Sequence, residues 1–110
     1  MVKSTIELKK IALQLVGNLR KKNIKVERLV LFGSYAQGNM RPDSDVDIAV
    51  ISSSFNQKNI VKRQEILGEA IYLIGEPIEA IGYSVNEFKN IQPFSFLAEI
   101  IANGKVIYRG

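Results

Sequence analysis

The stretch that most constrains this chain is Leu29–Ile51, LVLFGSYAQGNMRPDSDVDIAVI. An apolar run breaks at Gly33-Ser34, and a second apolar run opens on Asp45 and Asp47. With Asp43, these are the only aspartates in 110 residues. Leu29-Val30-Leu31-Phe32 is apolar without alternation, the pattern of a strand covered on both faces. Val26–Phe32 is therefore expected as one strand and Asp45–Ile51 as the next. In a strand, residues i and i+2 share a face about 6.5 Å apart, given a rise near 3.3 Å per residue. Asp45 and Asp47 should then point one way while Val46, Ile48 and Val50 point into a core. Aspartate is disfavoured in strands, and two like charges on one face repel. A strand tolerates them at a solvated end, or with a cation between them.

Composition narrows the chemistry. The chain has no histidine and no cysteine. That removes Ser-His-Asp and Cys-His arrangements and the usual zinc ligand sets. It also removes any disulfide framework, in keeping with an expected cytoplasmic location. What remains is carboxylates, hydroxyls, lysines, arginines and a hard cation. Two carboxylates together with substrate phosphates are the usual way a protein holds Mg²⁺. Hydrophobic content of 46% with 24% charged residues is ordinary for a soluble globular protein. No apolar run approaches bilayer-spanning length and the N-terminus has no secretory h-region, so no membrane association is expected. One domain over residues 1–110 is expected. The net charge of +4 is uneven, since residues 1–28 carry eight Lys/Arg against Glu7 and Glu27. Those charges read either as a solvated helix face or as a surface for an acidic partner or RNA. The lack of interleaved aromatics argues against nucleic acid.

The remaining elements follow from periodicity and caps. Ser4 with Glu7 forms a capping-box pattern ahead of Leu8, Ile11, Ala12, Leu15, Val16 and Leu19 at helical spacing, ending near Lys22-Asn23. Ser34-x-x-Gln37 has the same form and predicts a short helix, followed by a loop over Gly38–Ser44. Asn59–Ile74 reads as a long helix with Ile60, Leu67, Ile71 and Ile74 inward, stopped by Gly75 and Pro77. Ile78–Tyr83 reads as a strand and Asn86 as the start of a polar segment. Pro93–Ala102 reads as a helix with Phe94, Leu97, Ile100 and Ile101 inward, and Lys105–Tyr108 as a last short strand. This order implies an α+β (α/β-like) fold, a small mixed β-sheet flanked by helices.

A glycine ending a buried strand at the start of a helix presents free backbone N–H groups, where phosphate can settle with the Ser34 hydroxyl as a further donor. Alternatively, Gly33 makes the turn and Ser34 only caps the helix. A third acid is needed to complete a two-metal centre or to take a proton from an attacking hydroxyl. Glu79, an acid among apolar residues on an expected strand, is the candidate, although an exposed edge position explains it equally. Glu76 is the fallback. Arg41 lies in the intervening loop, either within reach of a triphosphate or simply at the surface.

Gly33-Ser34, ten residues, then Asp45-x-Asp47 resembles the signature of the DNA polymerase β-like nucleotidyltransferase superfamily. The fuller string GSYAQGNMRPDSDVDIAV and the ending FLAEIIANGKVIY are similar to the minimal nucleotidyltransferases of bacteria and archaea. That group includes antitoxins paired with HEPN-domain ribonuclease toxins. The resemblance implies the polymerase β-like nucleotidyltransferase fold, with phosphates at Gly33 and Ser34 and Mg²⁺, two ions expected, at Asp45 and Asp47. Glu79 falls where the family carries a third acid, often Asp, here one methylene longer. The implied reaction is attack of a hydroxyl on the α-phosphorus of ATP, releasing pyrophosphate. In the HEPN-paired members the acceptor is a toxin tyrosine, which would make this chain an adenylylating antitoxin. The alternative is an antitoxin or scaffold that neutralises its toxin by binding alone.

Overall fold

The computed structural model describes residues 2–110. Helix α1 spans Thr5–Arg20 and opens with the expected capping box: the Glu7 N–H donates to Ser4 Oγ, and the Ser4 N–H donates to Glu7 Oε1. It buries Ile11, Ala12, Leu15, Val16 and Leu19 on one stripe. Strand β1 is Arg28–Phe32, a four-residue α2 follows at Ser34–Gln37, and β2 is Val46–Ser52. A 3₁₀ turn at Ser53–Phe55 and helix α3, Ile60–Tyr72, carry the chain across to β3, Ile78–Ser84. Then come α4 at Val85–Lys89, α5 at Phe96–Asn103 and β4 at Lys105–Arg109.

The strands form one mixed sheet in the order β3-β2-β1-β4. β1 pairs antiparallel with both β2 and β4, while β2 and β3 are parallel. A parallel pair needs a crossover, and α3 supplies it. Leu29, Leu31, Val46, Ile48 and Val50 point to one face, where they join α1 and α3 in the main core. Val30 and Ala49 point to the other, against Ile100 of α5.

Several boundaries differ from the sequence reading, each for a local reason. β2 begins at Val46, so Asp45 stands just outside it; the first residue held is Val46, whose N–H donates to the Pro77 carbonyl at 2.9 Å. α3 is Ile60–Tyr72, shorter at both ends than expected, and Gly68 within it faces outward with nothing near it. Its buried side is Arg63, Ile66, Leu67 and Ala70, and Ile60, in its first turn, is 71% exposed. Ser84 and Glu87 form a second full capping box that nucleates α4 where only a polar segment was expected. α5 starts at Phe96 rather than Pro93, because the Ser95 hydroxyl accepts from the Ala98 N–H and sets the N-cap there. Phe94 is consequently left outside the helix, fully exposed, with φ +64°.

Buried Arg63 ties the crossover together. Its guanidinium donates to the carbonyls of Lys58, Phe55 and Gly82, and pairs with Glu87 of α4. Burial acts to raise the Glu87 pKa, but hydrogen bonds from the Ser84 N–H and Arg63 outweigh it and hold the carboxyl below its usual value. Among the described residues no helix is long and apolar enough to cross a membrane.

Candidate active site

Strand register assembles the site. Phe32 is paired with Asp47 across β1 and β2, and Asp47 with Glu79 across β2 and β3. Directly paired residues share a face, so Phe32, Asp47 and Glu79 form one row across the sheet, on the α5 side. Glu79 is exposed on an edge strand and also lies beside Asp47 in the register of the parallel pair.

The electrostatics show how close these acids are. The Asp47 pKa is raised to about 6, first by burial, then by the charge of Glu79 and a hydrogen bond with it, and last by the charge of Asp45. Asp45 is exposed just ahead of β2 and acts on Asp47 through charge.

Gly33 packs against Asp47. It ends β1 with φ +69°, a region that favours glycine, and a Cβ there would lie 2.1 Å from Asp47 Oδ2. The absent side chain is what lets backbone and carboxylate approach. The Ser34–Gln37 capping box does not form: Gly33 occupies the N-cap, no side chain caps α2, and Ser34 is its half-buried first residue. Two Gly33-Ser34 features, the turn and the helix start, are as expected; the cap is not.

Arg41 sits exposed in the turn before Asp45, where its N–H donates to Ser44 Oγ at 2.8 Å. Its side chain is not among those lining the cleft over the carboxylates. Glu76, the fallback acid, is ion-paired with Lys3 at 3.1 Å.

That cleft has a volume of about 560 Å³ and is walled by Phe32, Asp47, Ile60, Gln64, Glu79, Ile81 and Phe96. The Phe32 and Phe96 rings meet edge-to-face at 5.7 Å between centroids. Ile60, Gln64 and Phe96 were missed as site residues because they come from the first turns of α3 and α5. Ile60 stands seven residues before Leu67, at the edge of the same apolar stripe, so helical spacing alone did not set it apart from the core.

Among the described residues no three of His, Cys, Asp and Glu are gathered closely enough to hold a metal ion unaided. The chemistry of the donors nevertheless fits a hard cation. The groups are all carboxylates, burial and then the charge of Glu79 raise Asp47, and among the described residues no lysine or arginine lines the cleft to offset this.

Comparison with known proteins places the fold and the family. A family profile described as polymerase beta, nucleotidyltransferase matches residues 14–110. A Methanocaldococcus jannaschii protein provisionally named as a protein adenylyltransferase is 27% identical over 84 residues, 76% of this chain and 80% of the relative. The crystal structure of a provisionally assigned nucleotidyltransferase from Sulfolobus solfataricus superposes with a TM-score of 0.66 at 19% identity, covering 99% of this chain and 90% of that one. A toxin–antitoxin crystal structure with AMP-PNP gives a TM-score of 0.63 at 20% identity, covering 93% of this chain and 73% of that one. The profile match takes in the whole acidic row with Gly33 and Ser34, and the chain belongs to the polymerase β nucleotidyltransferase family.

Proposed function

We propose that this nucleotidyltransferase moves AMP from ATP onto a hydroxyl of a partner protein, a tyrosine of a HEPN-type ribonuclease toxin. The observation that carries the reading is the register row in which Asp47 and Glu79 stand side by side with the Gly33 backbone against Asp47. The named function of the archaeal relative and the toxin–antitoxin structural neighbour support a protein acceptor.

Asp45, Asp47 and Glu79 would hold Mg²⁺, with two ions expected. The chemistry such a cation would supply there is neutralisation of triphosphate charge and polarisation of the α-phosphate. Gly33 and Ser34 receive the phosphates through backbone N–H groups and the serine hydroxyl, and Arg41 extends from its loop toward the distal phosphates. Glu79, on the exposed edge strand, takes the proton of the incoming hydroxyl. The acceptor oxygen forms its bond to the α-phosphorus as the bond to the bridging oxygen breaks, and pyrophosphate leaves.

The test is incubation with α-labelled ATP, Mg²⁺ and the protein encoded beside it. Label should appear on the partner with wild type. It should fall at least about a thousand-fold with Asp45→Asn/Asp47→Asn, since transition-state charge is left unstabilised. No labelling by wild type, or equal labelling by the double variant, sinks the proposal. Toxin neutralisation that survives both the double variant and EDTA would make this a purely binding antitoxin.

A further inference from the structure

Gln64, in the first half of α3, is the one neutral polar side chain in the carboxylate cleft. Its orientation is set by its neighbour, because Nε2 donates to the Ala80 carbonyl at 3.1 Å. A carbonyl oxygen only accepts, so the amide must turn its NH₂ end toward Ala80 whichever way it is drawn. Oε1 is then directed away from Ala80 as an acceptor, and no described residue donates to it. A side chain tethered at one end loses less freedom when a ligand binds the other.

The other walls suit a flat ring. Ile60 and Ile81 are apolar, and Phe96 is half-exposed with its ring steadied edge-on by Phe32. The cleft volume lies in the range of about 300–1,000 Å³ typical of small-molecule sites. Asp47 and Glu79 line it too, so a nucleotide whose phosphates sit at the acids has room for its base in the same cleft.

We propose that this cleft receives the nucleobase and that Gln64 Oε1 reads an exocyclic amine, selecting adenine. The adenine N6 amino group donates to Oε1, whereas guanine O6 and uracil O4 would set two acceptors against each other. Cytosine carries an equivalent amine at N4, and its smaller ring fills less of the cleft. A site built to bond a polar group discriminates strongly against ligands lacking it, since the mismatch leaves an unpaired acceptor. This selection rests on the nucleotidyltransferase reading above, but it is measured by binding alone.

Isothermal titration with ATP, CTP, GTP and UTP in Mg²⁺ tests it on wild type, Gln64→Ala and Gln64→Met. The methionine variant keeps the side-chain length and loses the acceptor, and circular dichroism checks that each variant is folded. Wild type should bind ATP about tenfold or more tighter than GTP, with CTP between. Both variants should weaken ATP about tenfold, leave GTP within about twofold, and bring the ATP/GTP ratio toward one. Equal affinity of wild type for ATP and GTP overturns Gln64 as the reader while leaving the family activity intact. So does a loss in the variants that is the same for every nucleotide. If no triphosphate binds in Mg²⁺, both this inference and the proposed reaction fall together.

Discussion

The two faces of the sheet differ in what covers them. On one, Leu29, Leu31, Val46, Ile48 and Val50 are buried under α1 and α3 with Leu15, Leu19, Phe55 and Leu67. On the other, α5 covers only part, and Phe32, Asp47 and Glu79 look into an open cleft. The same strands serve both, because alternate residues of β2 face opposite ways: Val46, Ile48 and Val50 into the core, Asp47 into the cleft. A one-residue slip would exchange these sets, so the closed face holds the register on which the open face depends. Apolar packing on one side of the sheet thus positions carboxylates on the other.

If that division is right, the largest loss of stability comes from the closed face. Phe55 is fully buried there, and Phe55→Ala should cost about 3–5 kcal/mol in denaturant unfolding. Half-buried Ile101, on the α5 side, should lose only about 1 kcal/mol as Ile101→Ala. Comparable losses at the two positions would remove the asymmetry.

Gly33→Ala sharpens the comparison by striking where the faces meet. The new Cβ would lie 2.1 Å from Asp47 Oδ2 at a positive φ, so either the carboxylate or the turn must move. We expect about 1–3 kcal/mol of destabilisation and a loss of label transfer of at least about a hundred-fold. Near-normal transfer would show that Asp47 need not abut the backbone.

Asp47→Asn should have a smaller and opposite effect on stability. The Asp47 pKa in the fold, about 6, lies above its ordinary value of 3.8, with burial the first cause and Glu79 the second. The folded state therefore binds its proton more tightly than the unfolded chain does. The associated stability is fully present below about pH 4 and is lost as pH rises through about 6. Without Mg²⁺ at pH 7, Asp47→Asn should be more stable than wild type by an amount on the order of 1 kcal/mol, solvent screening having been discounted. The gap should close toward pH 4, and thermal melts at both pH values would reveal it. A wild type that is the more stable at pH 7 contradicts strain among the acids.

The smallest effect is expected beyond both faces. Phe94 is fully exposed with φ +64°, so Phe94→Gly relieves a left-handed phenylalanine and removes no packing. A gain of roughly 0.5–1 kcal/mol should appear in chemical denaturation.

How much of this was legible in the sequence follows from the range of the interactions. The strands β1 and β2, the α1 capping box and the Gly33 turn are set by near neighbours, and their residues announce them. Gly33-Ser34 and Asp45-x-Asp47 marked the candidate site for the same reason. Glu79 could be named but not placed, because its position beside Asp47 is a register across a parallel pair with a helix in between. Gln64 and Phe96 were invisible as site residues, since only tertiary packing brings the first turns of α3 and α5 over the acids. Phe94 was misplaced into a helix because apolar spacing was followed past Ser95, whose hydroxyl sets the true start.

Arg63 and Gln64 have a joint consequence for the arithmetic of the strand. They hold the Gly82 and Ala80 carbonyls of β3, two residues apart on its outer edge. Strand positions have parity, odd to one side and even to the other. Two donors spaced to match two like-parity carbonyls work as a check digit. A shift of β3 by one residue would offer them carbonyls pointing inward, toward β2, and the same shift would carry Glu79 to the wrong face.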